Sequence, residues 1–177
     1  MLMIELMILF SLLKRDLTMY GVHKFVLENF SPFTQPSFGA IKPALVRLEK
    51  SGFITSRKIM SDGGKLSVFY SVTRSGLEEL KRLLTEDLST NPLQFLSNAR
   101  VKLCCGAFLD KEERDKMFFN IKNLAMEHKF SAENIINNEY NTVSFYQRIV
   151  LDNMICEYNN FINLVEGFEK ENAGNSK

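Results

Sequence analysis

The sequence contains no tryptophan, two histidines and three cysteines in 177 residues, and these scarcities remove several kinds of chemistry. His23 and His128 lie far apart with no cysteine or carboxylate at ligand spacing, so no metal site is expected. Cys104, Cys105 and Cys156 are odd in number, two are adjacent, and none has zinc-ligand or redox-motif spacing. That pattern excludes a disulfide framework. It fits a reduced, cytoplasmic protein whose thiols are buried as small apolar groups. There is no glycine-rich phosphate loop, nucleophile elbow or carboxylate pair set for acid–base work, so neither catalysis nor a cofactor is expected. Long apolar runs are missing too. Residues 1–13 are apolar, but they carry Glu5 and lack both a basic leader and a small-residue cleavage site. They read as a buried helix, not as a signal or a membrane span.

What the chain does have is ordinary globular chemistry, unevenly distributed. Hydrophobic residues at 45% and charged residues at 24% suit a folded soluble protein and argue against disorder. The length allows one good core, or a small domain with a helical appendage. The net charge of +1 hides an asymmetry. Residues 1–88 hold 12 Lys/Arg against 9 Asp/Glu, net +3, and residues 89–177 hold 10 against 12, net −2. A basic first half beside a mildly acidic second half fits a nucleic-acid module joined to a module of another kind.

Hydrophobic periodicity sets out the elements. Ile4, Met7, Ile8 and Leu12 form one stripe over residues 3–14. Thr18 caps a second helix, residues 19–29, with Val22, Phe25 and Val26 inward. Residues 30–36 carry two prolines and no period, which makes them a loop. A third helix over residues 37–51 places Ile41, Ala44, Leu45 and Leu48 on one face. Gly52 closes it, and Pro43 removes one of its hydrogen bonds. Two strands come next, residues 53–60 and 66–72, with Asp62, Gly63 and Gly64 supplying a tight hairpin turn. Thr73 caps a fourth helix with Leu77, Leu80, Leu83 and Leu84 inward. The fold class is mainly α with a small β-hairpin, in the order of a winged helix-turn-helix.

Charge gives that order its meaning. Between residues 36 and 73 there are six basic side chains (Lys42, Arg47, Lys50, Arg57, Lys58, Lys65) against two acidic ones (Glu49, Asp62). A helix with a basic outer face beside a basic hairpin suits a DNA major groove flanked by phosphates. Lys42 and Arg47 are the expected groove contacts. Gln35 and Ser37 stand near the helix start, where amides meet a phosphate. Arg57, Lys58 and Lys65 are placed to hold the backbone from the hairpin, and Tyr20 to hydrogen-bond a phosphate. The expected partner is double-stranded DNA with a palindromic operator. The alternative is a winged helix that uses this face as a protein-interaction platform.

Residues 87–92 read as a polar linker, dividing a DNA-binding domain over residues 1–87 from a helical domain over residues 93–171. Residues 93–109 are short and apolar. Asp110 caps a longer helix with Met117, Phe118, Ile121, Leu124, Ala125 and His128 on one stripe. A last helix over residues 143–170 repeats Tyr146, Val150, Met154, Phe161, Leu164 and Phe168. Each of these two helices runs on the order of 35–40 Å. Stripes of that length need each other and a second copy of themselves. The region therefore reads as a long-helix homodimerisation arm, with Tyr146, Val150, Phe161, Leu164 and Phe168 at the contact. Residues 172–177 read as disordered.

Together these residues resemble the PadR family of transcriptional regulators. The family's hallmark is a Pro-x-x-Gly-x-Leu-Tyr-Pro-Ala-Leu-x-Arg-Leu-Glu recognition helix. Gly-Leu-Ile comes after it, then a wing of the form Gly-Arg-x-x-x-x-Tyr-x-Leu-Thr and x-x-Gly. Here Pro36, Gly39, Ile41, Pro43, Ala44, Leu45, Arg47, Leu48 and Glu49 match the helix. Gly52, Ile54, Gly64, Lys65, Tyr70, Thr73 and Gly76 match the turn, the wing and the glycine beyond it. Met-Tyr-Gly-Val at residues 19–22 is similar to the family's Met-His-Gly-Tyr. The resemblance covers about residues 4–84. It implies a homodimeric, cytoplasmic winged-helix transcription factor, a repressor, with control by a small apolar effector as in many members. Phe118, Tyr146 and Phe161 are aromatics such an effector pocket would use, although dimer-core packing is their simpler role. Lys42 and Val22 stand where the family has tyrosines, so the operator read by known members does not carry over.

Overall fold

Three polar side chains start three helices. Thr18 accepts a hydrogen bond from the Gly21 amide at 3.1 Å, Thr73 from the Gly76 amide at 3.0 Å, and Asp110 from the Glu113 amide at 2.9 Å. Glu113 reaches back to the Asp110 amide, completing a capping box. Each cap satisfies an amide that the first helical turn leaves without a partner. The computed structural model describes residues 2–60, 64 and 66–174. Its elements are α1 (Leu2–Ser11), β1 (Leu17–Thr18), α2 (Met19–Phe30), α3 (Phe38–Lys50), β2 (Ile54–Met60), β3 (Leu66–Val72) and α4 (Arg74–Thr85). Then come α5 (Pro92–Cys105), a 3-10 turn (Gly106–Phe108), α6 (Lys111–Asn137) and α7 (Phe145–Gly174).

The chain divides into two compact units. The first takes Met1–Glu86 and Leu96–Leu109, the second Asp87–Phe95 and Asp110–Lys177. Residues 96–109 thus group with the first unit, whereas the sequence pattern assigns them to the helical second half.

In the first unit α1 packs against α2, α3 and α4. Leu6, Met7, Ile8 and Leu9 are all buried, so α1 is covered on several sides and not along the single stripe expected. A helix apolar nearly all round belongs at the centre of a core. Val22, Val26 and Phe30 of α2, Ile41, Ala44, Leu45 and Leu48 of α3, and Leu80, Leu83 and Leu84 of α4 complete that core. Phe25 is only half-buried and meets the ring of Phe10. Burial of each of the larger apolar side chains contributes about 1.5–3 kcal/mol before conformational entropy opposes it.

The sheet has three strands in the order β1-β3-β2, all antiparallel. β2 and β3 pair from Ile54 against Val72 to Met60 against Leu66. β1 adds Leu17 against Tyr70 and Thr18 against Phe69, a strand of two residues too short to leave a periodic signal. Asp62 and Gly63 of the expected turn lie outside the described residues. The sheet joins the helices at one corner. Gly52, at φ 74°, ends α3 in the left-handed conformation. Thr73 donates to the carbonyls of Gly52 and Phe53, and Ser75 donates to that of Gly52. Gly76 lies so close beneath that an added Cβ would stand 2.0 Å from the Phe53 carbonyl oxygen. No side chain fits there.

In the second unit α6 and α7 run antiparallel. Arg114 near the start of α6 donates to Asn172 near the end of α7, Phe118 stacks on Phe168, and Lys122 pairs with Glu169 at 2.6 Å. Further along, the His128 ring clusters with Phe95 and Tyr158, with centroids at 5.1 and 5.6 Å from its own and 6.3 Å between the two. Its Nε2 is buried without a hydrogen-bond partner among the described residues, and burial holds its pKa below the usual 6.5, against a smaller opposing effect of the Glu127 charge.

Three expectations are corrected here. The buried face of α7 is Leu151, Tyr158, Phe161 and Val165, which shares only Phe161 with the stripe expected from the sequence, because apolar residues occupy two faces of this helix. And α7 continues to Gly174, so residues 172–174 are helical where a disordered tail was expected, with the Asn172 amide bonded to Arg114 and Asp115. Of the three cysteines only Cys105 is buried, and burial drives its thiol pKa far above normal. Cys104 and Cys156 are exposed, against the expectation of buried thiols. Among the described residues no helix is long and apolar enough to cross a membrane, and no cluster of His, Cys, Asp and Glu is fit to hold a metal.

Candidate nucleic-acid interface

The inward pattern of α3 decides what its outer face presents. With Ile41, Ala44, Leu45 and Leu48 buried, the 100° step of the helix turns Gly39, Lys42, Pro43, Val46 and Lys50 to solvent, and all five are exposed. Lys42 and Lys50 have no ion-pair partner among the described residues. Ser37 is the N-cap residue and makes no side-chain cap bond, so its hydroxyl leaves the first turn of α3 uncapped towards solvent, although the Ala40 amide donates to the Ser37 carbonyl at 2.9 Å. Gln35 stands just before, exposed, its amide turned back onto the Ser31 carbonyl at 3.2 Å. Tyr20, at the start of α2, is 69% exposed. A packed tyrosine at that position is therefore ruled out.

Arg47 and Arg57 sit differently from Lys42. Arg47 Nε donates to Glu5 Oε1 at 2.8 Å, and the Glu5 side chain is only 11% exposed. This contact ties α3 to α1 and holds the helix in register against the core. Arg57 pairs with Asp16 at 2.8 Å, on the residue before β1. Lys58 is exposed on β2 with no ion-pair partner among the described residues. Lys65 lies outside the described residues. Glu49, the one acidic residue of α3, accepts a hydrogen bond from Ser56 of β2 and so faces the sheet. Burial, with the Glu49 charge second, raises the Tyr70 pKa, leaving the phenol a neutral donor.

The structure thus brings Tyr20, Ser37, Lys42 and Lys58 to the surface of the first unit, their polar ends without a side-chain partner among the described residues. It commits Arg47 and Arg57 to intramolecular pairs. Sequence reasoning missed the role of Glu5. Its signal was present: one acidic residue inside an apolar helix requires a cation opposite it. Lys50 lies two turns after Lys42 on the same exposed face, a placement that its charge alone does not signal.

The expected dimer residues separate in the same way. Tyr146 is 81% exposed, and Val150 and Leu164 are exposed too. Phe161 is buried against Phe95 and so serves the inside of its own subunit, whereas Phe168 stacks on Phe118 but stays partly exposed. Phe118 and Phe161 are accordingly packing residues. Also exposed are Phe145 and Ile149 on α7 and Phe119, Met126 and Phe130 on α6. The three on α6 recur at seven and four positions, one stripe of that helix.

The transcriptional regulator PadR-like family matches residues 8–82 of the chain. A PadR family transcription regulator from hypervirulent Clostridium difficile is 31% identical, over 45% of this chain and 80% of that one, with a TM-score of 0.39. Bacillus subtilis PadR in complex with operator DNA is 20% identical, over 95% of this chain and 98% of that one, with a TM-score of 0.47. Bacillus subtilis PadR in complex with p-coumaric acid is 20% identical, over 97% and 96%, with a TM-score of 0.42. No curated protein matches the chain.

Proposed function

The chain belongs to the PadR-like family of transcriptional regulators, and from that premise we propose that it acts as a homodimeric repressor on a palindromic DNA operator. One observation carries the reading. On a winged helix whose core fixes α3 outward, Lys42, Lys50 and Lys58 are exposed and unpaired among the described residues, beside an uncapped helix start at Ser37. Three such cations on one small unit make a surface that phosphates attract. In this reading α3 enters the major groove, Lys42 and Lys50 donate to base edges or phosphates, and Ser37 and Tyr20 hold the backbone at the helix start. Lys58, with Lys65, holds it from the wing. Arg47 acts as a positioning residue through Glu5.

Dimerisation is assigned to the exposed apolar residues of α6 and α7, chiefly Tyr146, Val150 and Leu164, because leaving this many large apolar side chains in water is unfavourable. Control by a small apolar effector completes the proposal, on the strength of the family resemblance. The described cleft of about 300 Å³ in the second unit is lined by Asp87, Thr90, Asn120, Asn123 and Glu127 beside two leucines, too polar for such a molecule.

Selection of duplexes from a randomised pool by the full chain tests the reading. Enrichment of one inverted repeat supports it. A pool that stays random after repeated rounds contradicts it and favours the protein-interaction alternative.

A further inference from the structure

The outer face of α3 holds a residue that charge does not explain. Val46 is 57% exposed, one turn after Lys42 and one turn before Lys50. A β-branched side chain at the centre of a helix costs helix stability relative to alanine and gains nothing from water. On the same ridge stand Gly39 and Pro43. Gly39 has no positive φ, and a Cβ added there would meet only the Ser37 hydroxyl, at 3.8 Å. Nothing inside the protein requires a glycine at that position, although glycine in a helix costs about 0.5–1 kcal/mol against alanine. A low ridge of Gly39, Pro43 and Val46, the last two lying between Lys42 and Lys50, is a surface shaped for close approach by something anionic at its edges and apolar at one point.

We propose, resting on the DNA-binding reading above, that Val46 reads the C5 methyl of a thymine in each operator half-site. The thymine methyl is the one apolar group on the floor of the major groove, and apolar side chains recognise it by contact. Four residues of helix advance about 6 Å. Lys42 and Lys50 therefore flank Val46 at a spacing close to two base-pair steps on either side, where phosphates and guanine edges are in reach. The missing side chain at Gly39 lets the backbone sink far enough for the short valine to touch. Val46 is thus a specificity residue, and the lysines beside it supply affinity.

The test uses the full chain and the duplex it selects from the randomised pool. Each thymine is replaced in turn by uracil, which removes the methyl group and leaves base pairing unchanged. One thymine per half-site should weaken binding about fourfold when replaced, the roughly 0.8 kcal/mol of one buried methyl group converted by RT. In Val46→Ala the same replacement should change affinity by much less, while thermal unfolding shows the fold intact. Two results overturn the proposal and leave DNA binding standing: no uracil substitution affects the wild-type protein, or the effect persists undiminished in Val46→Ala. Failure to select any duplex overturns this proposal together with the reading it rests on.

Discussion

Replacing Arg47 by alanine should damage stability before it damages DNA recognition. The Arg47 side chain is 43% exposed, but its partner Glu5 is 11% exposed, and their contact of 2.8 Å joins α3 to the central helix. Removing one member of a fully buried pair costs about 3–5 kcal/mol, because the other charge is left without compensation. Exposed pairs are worth about 0–1 kcal/mol. With one partner buried and the other half in water, Arg47→Ala should cost about 2–3 kcal/mol. That corresponds to a fall in melting temperature on the order of 10 °C for a unit of this size. The double variant Glu5→Gln with Arg47→Met leaves no charge behind and should recover most of the loss. Urea unfolding of the three proteins supplies the numbers. If Arg47→Ala unfolds like wild type and loses DNA affinity instead, Arg47 is a groove contact and the positioning role is wrong.

Gly76→Ala should destabilise the first unit by about 1–3 kcal/mol or more, since its Cβ collides with backbone, whereas Gly39→Ala should leave the melting temperature unchanged or raise it. Equal effects at the two glycines would show that the corner at Phe53 yields. Because burial lowers the His128 pKa, below pH 6.5 the unfolded chain takes up a proton that the folded chain refuses. Stability should therefore decline as pH falls below 6.5, and His128→Phe should flatten that decline. An identical pH profile in the variant would remove His128 as its source. Tyr146→Asp combined with Val150→Asp should convert the dimer to a monomer in sedimentation velocity, and an unchanged dimer would place the interface elsewhere.

Most of the first unit was legible because its signals are local. Thr18 and Thr73 announce helix starts, Ile41, Ala44, Leu45 and Leu48 repeat at one helical face, and Gly52 marks the end of α3. β1 was not legible: Leu17 and Thr18 are a strand only because β3 passes beside them. The second unit misled for a physical reason. α7 has apolar residues on two faces, and periodicity alone does not tell the seam with α6 from the face left outside. Choosing Tyr146, Val150, Phe161, Leu164 and Phe168 as one stripe merged the two. At the candidate site, charge type was readable but its destination was not. Lys42 and Arg47 look equivalent in sequence, and only the packing of α1 gives Arg47 a partner in Glu5 while leaving Lys42 free.

The central claim is that the lysine-bearing face of α3 and β2 binds DNA through phosphates and reads its sequence. The most direct measurement is the affinity of the full chain for its selected duplex, and for a scrambled one, across a series of salt concentrations. Each phosphate neutralised contributes a slope of about −0.9 in log affinity against log salt. Two subunits that each use Lys42, Lys50, Lys58 and Lys65 should give a slope of about −7, with the selected duplex preferred by at least about a thousandfold. Equal affinity for both duplexes with a slope near zero would contradict the account.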